Sequence, residues 1–366
     1  MGHFGPKRGR RLAVAAGVLL LMPTFGCARE PPRTVELGGP TMGTTWAVKV
    51  VPGPDGLPHE AIQDLDRTVR DDLARINLLM STWDPDSELS RFNGTSSLQP
   101  VPVAPETFAV FRWAVDLAEL TGGALDVTVA PLVEAWGFGT ATGTAAGTLD
   151  HETLARLRDG TGVRHLQLDP DGSWVRKTRP DVQVDFSALA PGYAADRLAA
   201  LIERRGHADF LVDVGGELVA RGRNARGEPW QIAVERPDAR GRQVERVVPL
   251  IDTAIATSGD YRNYREVDGE RISHILDPRS GRPIRHRLAS VTVVDPLCVR
   301  ADALATALMV LGPDEGKALA TRLDLAALML VRMETGAFDE WMSPRFEVAT
   351  GLRARHGEPD PGTVKP

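Results

Sequence analysis

The sequence predicts an α+β domain built from mixed or antiparallel sheets with flanking helices. Short alternating segments and amphipathic helical ones are interleaved without the strand–helix–strand rhythm of a parallel sheet. No G-x-G-x-x-G or Walker A sequence follows any strand-like segment, which argues against a nucleotide-binding Rossmann or P-loop domain. Composition fits a globular body: 366 residues, 42% hydrophobic and 25% charged, suffice for one large or two medium domains with a real core.

The elements follow in chain order. Lys7, Arg8, Arg10 and Arg11 precede the apolar run Leu12–Met22, which is too short to span a bilayer and has the flanks of a secretory signal. Gly26 followed by Cys27 has the form of a bacterial lipoprotein cleavage site, with Thr24 where such sites usually carry Leu. Residues 1–26 are thus expected to be removed and Cys27 to be lipidated. The Pro- and Gly-containing stretch 27–40 is expected to be a tether, and residues 351–366 a polar tail. Thr41–Val51 ends in alternation (Trp46, Val48, Val50) and predicts a strand stopped by Pro52-Gly53-Pro54. In His59–Met80, Ile62, Leu65, Val69, Leu73, Ile76 and Met80 recur at steps of three and four, which predicts an amphipathic helix. Pro105–Leu120 predicts a second helix, with Pro at its start and Gly122-Gly123 past its end. Thr140–Thr148 is Ala/Gly/Thr-rich and predicts a surface loop, and Asp150–Arg158 a short capped helix. His165–Leu168 and Val182–Phe186 are strand-like, and Pro191–Arg205 is helical up to Gly206. Phe210–Val214, Glu217–Ala220 and Trp230–Glu235 predict a meander, and Ser290–Val294 a further strand. Ala301–Leu311 predicts a helix closed by Gly312-Pro313, and Leu325–Val331 a buried strand.

Charge and cysteines narrow the function. Lys+Arg number 43 against 49 Asp+Glu, and removal of residues 1–26 takes the formal charge from −6 to −10. A body this acidic lacks the clustered cations that displace counterions from nucleic acid, so no nucleic-acid partner is expected. Cys27 and Cys298 are the two cysteines, and a lipidated Cys27 would leave Cys298 without a partner; it is expected to be a buried small apolar residue. No H-E-x-x-H, paired C-x-x-C or G-x-S-x-G occurs.

Polar and glycine clusters mark the ends of elements, where binding residues usually lie. The most specific is Ala301-Asp-Ala-Leu-Ala-Thr306: four apart on a helix, Asp302 and Thr306 share a face. Carboxylate and hydroxyl suit a hard cation, Mg²⁺ or Ca²⁺. Alternatively, Asp302 caps the helix and Thr306 bonds back to its own turn. His274 precedes Asp277-Pro278 in a turn, and Trp83 is either a core aromatic or a flat platform for a ring.

Taken together and in order, these segments resemble the ApbE family of bacterial flavin transferases. The likeness rests on Thr41-Met-Gly-Thr, Met80-Ser-Thr-Trp with Ser87-Glu-Leu-Ser-Arg-Phe-Asn93, Asp126-Val-Thr-Val-Ala-Pro-Leu with Trp136-Gly-Phe-Gly, Gly192-Tyr-Ala-Ala-Asp, Val214-Gly-Gly, Thr257-Ser-Gly-Asp-Tyr, His274-Ile-Leu-Asp-Pro with Ser280-Gly-Arg-Pro, and Ala301-Asp-Ala-Leu-Ala-Thr. It spans residues 41–350 as one domain of ApbE-like, T-fold-like architecture. The resemblance implies a transferase that cleaves the FAD pyrophosphate with a divalent metal, moves FMN to a Thr hydroxyl of a target protein and releases AMP. Implied targets are subunits of Na⁺-pumping NADH:quinone reductase or Rnf-type complexes. The implied location is the periplasmic side of the inner membrane, reached through a lipid anchor. By resemblance, Met42, Trp83, Ala124, Leu125, Asp126, Pro191 and Ile275 would line the FAD site. Asp302, Thr306 and the carbonyl of Ala188 would hold the metal, and His274 would act as general base. Trp83 stands where the family often has Tyr, and Pro191 where it commonly has Lys or Glu, so a charged contact with FAD is absent there. Two other activities share these residues: an FAD pyrophosphatase with water in place of Thr, and a non-catalytic flavin-binding lipoprotein.

Overall fold

The computed structural model of the protein describes Met1 and residues 34–139, 149–238, 243–260, 264–267 and 270–355. The expected leader, Cys27, the 140–148 loop and the tail beyond 355 lie outside the described residues. Among the described residues no helix is long and apolar enough to cross a membrane.

An eight-stranded sheet organises the body, every neighbouring pair antiparallel. Its spatial order is Val35–Thr41, Thr44–Val50, Phe210–Val214, Glu217–Arg221, Thr253–Gly259, Leu288–Asp295, Ala326–Arg332 and Phe338–Met342. On one face lie the helices Ala190–Arg204 and Cys298–Arg322, with His59–Met80 and Pro105–Leu120 packed against them. The opposite face is covered by the hairpin Trp230–Glu235/Val244–Leu250 and the short helix Pro344–Thr350.

Strand period and sheet burial explain the sequence pattern. In Ala326–Arg332, Ala327 and Met329 enter the core under the helices, while Ala326, Leu328 and Leu330 enter the second core. A strand covered on both faces has no polar side, so it reads as an unbroken apolar run. The His59–Met80 helix buries Leu65, Val69, Leu73, Ile76, Leu79 and Met80, each side chain contributing about 1.5–3 kcal/mol of transfer free energy. Pro105–Leu120 ends where Gly122 and Gly123 turn to positive φ and return their N–H groups to the carbonyls of Glu119 and Ala118.

Four expectations need correcting. Residues 35–40 are not tether: Val35–Thr41 is the edge strand, in register with Thr44–Val50 from Val35↔Val50 to Thr41↔Thr44. The glycines that suggest a linker are there for close approach, since a Cβ on Gly38 would lie 3.0 Å from the Trp46 carbonyl oxygen. Among the described residues Val182–Phe186 pairs with no strand, because the Asn93 amide takes the partner's place. Its Nδ2 donates to the Val184 carbonyl and its Oδ1 accepts the Val184 N–H, both at 2.8 Å. Trp230–Glu235 leaves the main sheet to pair with Val244–Leu250. Finally, helical structure resumes past Gly312-Pro313, the expected stop surviving as a kink at Gly312 (φ 76, ψ −174).

At the outer edge of the sheet, the Arg70 guanidinium donates to the Gly38 carbonyl at 2.9 Å. Pro40, two residues on, points its backbone the same way.

Candidate functional site

The helices Ala190–Arg204 and Cys298–Arg322 meet at Gly192. A Cβ there would stand 2.7 Å from the Cys298 carbonyl oxygen and 2.9 Å from the Asp302 Cβ, so only glycine permits the approach. Asp196, one turn along the first helix, caps the second: its two oxygens accept the N–H groups of Cys298 and Val299, each at 2.9 Å. The cap is therefore supplied from outside, and Asp302 is released from that role. It lies one turn inside the helix, 6% exposed. Its Oδ2 accepts the Gly192 N–H at 3.2 Å, and among the described residues no hydrogen bond reaches Oδ1. Burial pushes the Asp302 carboxyl up to about 7, opposed only by the Gly192 N–H.

One turn further, the Thr306 hydroxyl shares a hydrogen bond of 3.0 Å with Ser258 Oγ on the strand Thr253–Gly259, in place of the back-bond to its own helix. Thus neither local alternative for this pair holds, and the shared face is real. Cys298 is buried and unpaired, as composition suggests; burial raises its thiol well above the ordinary range. Ala188 sits in the turn before the first helix, shaped by Asp185 Oδ1 accepting the Ser187 N–H at 2.8 Å. Among the described residues no three His, Cys, Asp or Glu side chains converge as a metal cage. A cation here would depend on one buried carboxylate supplemented by hydroxyl and carbonyl oxygens, a donor set that fits Mg²⁺ or Ca²⁺.

The aromatic candidate lines a separate cavity wall. Trp83 is 71% exposed, so it is no core residue and its ring is free to stack. It lines a cavity of about 400 Å³ together with Asn93, Glu134, Phe138, Asp185 and Ser187. Ser187 is next to Ala188 in the chain, so the cavity wall adjoins the turn before the helix that carries Gly192. On the other side, the Phe138 ring meets His274 edge-on, centroids 6.4 Å apart. Arg265 donates to the Gly137 carbonyl at 2.7 Å and Trp136 Nε1 to the Gly281 carbonyl at 2.9 Å, fixing the segment that carries Phe138. His274 is half-buried, and Ile275 beside it is buried.

The remaining candidates divide. Met42 occupies the turn between the first two strands with φ 47, half-buried against the core. That turn is tied to Gly215 by its N–H, which donates to the Thr45 carbonyl at 2.9 Å. Pro191 is half-buried in the first helical turn before Gly192. Ala124 and Leu125 are buried core side chains. Asp126 spends its carboxylate inside the fold: Oδ1 accepts the N–H and hydroxyl of Thr128, and Oδ2 the Val163 N–H. These three can therefore offer a ligand only backbone groups. Sequence reasoning gave no role to Ser258, Asp196 or Phe138, although each lies inside a motif noted above.

Comparison with known proteins agrees with this geometry. The family model described as "ApbE family" matches residues 42–329. The chain is 43% identical over 339 residues to the FAD:protein FMN transferase of Vibrio cholerae, covering 92% of this chain and 98% of that one. It is 40% identical over 349 residues to the Salmonella typhimurium protein of the same name, covering 92% and 96%. The solved structure of flavin transferase ApbE from Vibrio cholerae superposes with a TM-score of 0.79 at 41% identity, over 87% of this chain and 99% of that one. The apo form of Pseudomonas stutzeri flavinyl transferase ApbE gives 0.79 at 38% identity, over 88% and 98%. With the family's motifs placed on the matching elements of an α+β fold, the chain belongs to the ApbE family.

Proposed function

We propose that this protein is an FAD:protein FMN transferase that uses a divalent cation, Mg²⁺ or Ca²⁺, at Asp302. The observation that carries this reading is the buried Asp302 carboxylate, with no cationic side chain against it among the described residues and with Thr306 on the same helix face, in a chain so similar to transferases of that name. Asp302, Thr306 and the Ala188 carbonyl would hold the cation, which would neutralise the pyrophosphate charge of FAD. Trp83 would stack on a ring of FAD, with backbone groups of Ala124, Leu125 and Asp126, and the neighbouring Met42, Pro191 and Ile275, shaping the site. His274 would take the proton of the acceptor Thr as its oxygen attacks the FMN phosphorus. A Thr–O–P bond forms, the P–O bond to AMP breaks, and AMP leaves.

The basic-apolar leader and Gly26-Cys27 support export and lipid anchoring on the periplasmic side of the inner membrane, next to acceptor subunits of Na⁺-pumping NADH:quinone reductase or Rnf-type complexes. The test incubates the protein with FAD, Mg²⁺ and an acceptor domain bearing the target Thr, read by intact mass. One FMN gained by the acceptor, abolished by EDTA and by Asp302→Ala, is expected. Release of FMN and AMP with an unmodified acceptor would mean hydrolysis, and FAD returned intact would leave only a carrier.

A further inference from the structure

The Thr306 hydroxyl departs from a pattern that other helical threonines of this protein keep. The hydroxyls of Thr68, Thr321 and Thr350 each donate to the carbonyl four residues earlier, at 2.8, 2.8 and 2.7 Å. Thr321 stands on the same helix as Thr306. Among the described residues Thr306 makes no such bond, and its Oγ1 meets Ser258 Oγ at 3.0 Å instead. That partner is held by the sheet. Ser258 is in register with Val291 of the neighbouring strand. Two residues on, the Asp260 N–H donates to the Ala289 carbonyl at 3.2 Å, and the Asp260 carboxylate accepts two hydrogen bonds from Arg332, at 2.8 and 2.7 Å. Strand alternation sets the direction. Ala254 and Ala256 enter the core beneath the helices while Ile255 enters the second core, so Ser258 is on the face that packs against the Cys298–Arg322 helix.

A hydroxyl carries one proton and two lone pairs. To act as an oxygen ligand, Thr306 has to send its proton away from the cation and hold one rotamer. A neutral hydroxyl is a weak ligand, so its worth depends on being oriented beforehand by a partner outside the ligand set. We propose that Ser258 is that positioning residue: its Oγ accepts the Thr306 proton, fixing the side chain and leaving the Thr306 lone pairs for the ion that Asp302 would hold. Ser258 acts through Thr306 and does not itself touch the ion. The proposal rests on the metal reading of Asp302 and Thr306. It also accounts for the missing back-bond, since a rigid strand orients the hydroxyl from outside its own helix.

Mn²⁺ alone is the probe, its free fraction followed by electron paramagnetic resonance without FAD. Ser258→Ala should raise the Mn²⁺ dissociation constant by about ten- to a hundredfold, as loss of a group supporting a metal ligand does. Thr306→Val, which keeps the shape and removes the hydroxyl, should weaken binding at least as much. The two losses should not add. Once the Thr306 hydroxyl is gone Ser258 has nothing to orient, so the double variant should bind Mn²⁺ like Thr306→Val. Ser258→Thr, which keeps an acceptor oxygen, should recover most of the affinity. Wild-type affinity in Ser258→Ala or in Thr306→Val overturns the proposal. Fully additive losses overturn it too, because Ser258 would then be a ligand in its own right. Ser258→Thr as weak as Ser258→Ala, or failure of Ser258→Ala to fold without metal, overturns it by showing that the position serves packing or the structure. Asp302→Asn keeps the two readings apart. If it binds Mn²⁺ like wild type, the metal reading itself fails; if it loses Mn²⁺ while Ser258→Ala does not, only the role of Ser258 is lost.

Discussion

Lowering the pH from about 8 to about 6 should cost this protein roughly tenfold in apparent affinity for a divalent cation. The Asp302 carboxyl is held up to about 7, because burial penalises its charged form and only the Gly192 N–H opposes that. Glu217 is displaced in the same direction, by burial first and then by the charges of Asp302 and Asp213. A cation needs the carboxylate, so proton and cation compete. With a midpoint near 7, roughly one molecule in ten carries an ionised Asp302 at about pH 6 and about nine in ten at about pH 8. That ratio corresponds to about 1.4 kcal/mol of binding free energy. Without cation, stability runs the other way. A carboxyl raised in the folded state binds its proton more tightly there than in the unfolded chain. Stability is therefore greatest below the ordinary carboxylate range and is lost as pH rises toward 7. Saturating cation should remove that loss. Thermal unfolding across this range, with and without Mn²⁺, measures both slopes. Asp302→Asn, which cannot ionise, should reduce them, leaving the part contributed by the other buried carboxyls, Glu217 first among them. Affinity independent of pH in the wild type, or slopes undiminished in Asp302→Asn, would refute the reasoning.

Three other substitutions probe the site. Gly192→Ala would normally favour a helix by about 0.5–1 kcal/mol. Here the added Cβ, 2.7 Å from the Cys298 carbonyl oxygen, should reverse the sign, destabilising by about 1–3 kcal/mol in urea unfolding and weakening Mn²⁺ binding. Trp83→Ala should leave the unfolding free energy from urea titration within about 0.5 kcal/mol of wild type, because the ring is exposed, yet weaken FAD binding measured by flavin fluorescence. A large stability loss would place Trp83 in the core after all. His274→Gln should lower the rate of FMN transfer by about 10²–10⁴-fold with FAD affinity kept; an unchanged rate would exclude it as base.

Much of the fold is legible where one physical period dominates. The His59–Met80 helix is visible because a single apolar stripe must face the core, and Ala326–Arg332 because both its faces are covered. Sequence is less informative where a side chain replaces a backbone partner. Asn93 pairing with Val184 makes residues 182–186 extended without making them a strand, and no local pattern announces that. Asp302 and Thr306 are legible as a pair because helix geometry fixes their shared face. Their environment is not, since Ser258 arrives from a strand 48 residues away and the Gly192 N–H from 110 away. Asp126 is legible as a motif residue, but not in what its side chain does. A motif aspartate looks like a ligand in sequence, but its oxygens are needed to hold Thr128 and Val163.

The outer rim of the sheet has a consequence for how the molecule behaves beside copies of itself. An unpaired strand normally presents a regular series of donors and acceptors on which a second chain can crystallise its own strand. Along Val35–Thr41 that series is interrupted twice in three residues: the Gly38 carbonyl is already occupied by Arg70, and Pro40 has no N–H to give. Because Pro40 shares the outward orientation of Gly38, its missing donor subtracts nothing from the pairing with Thr44–Val50. The fold thus closes its first edge to a neighbour at no expense to its own interior.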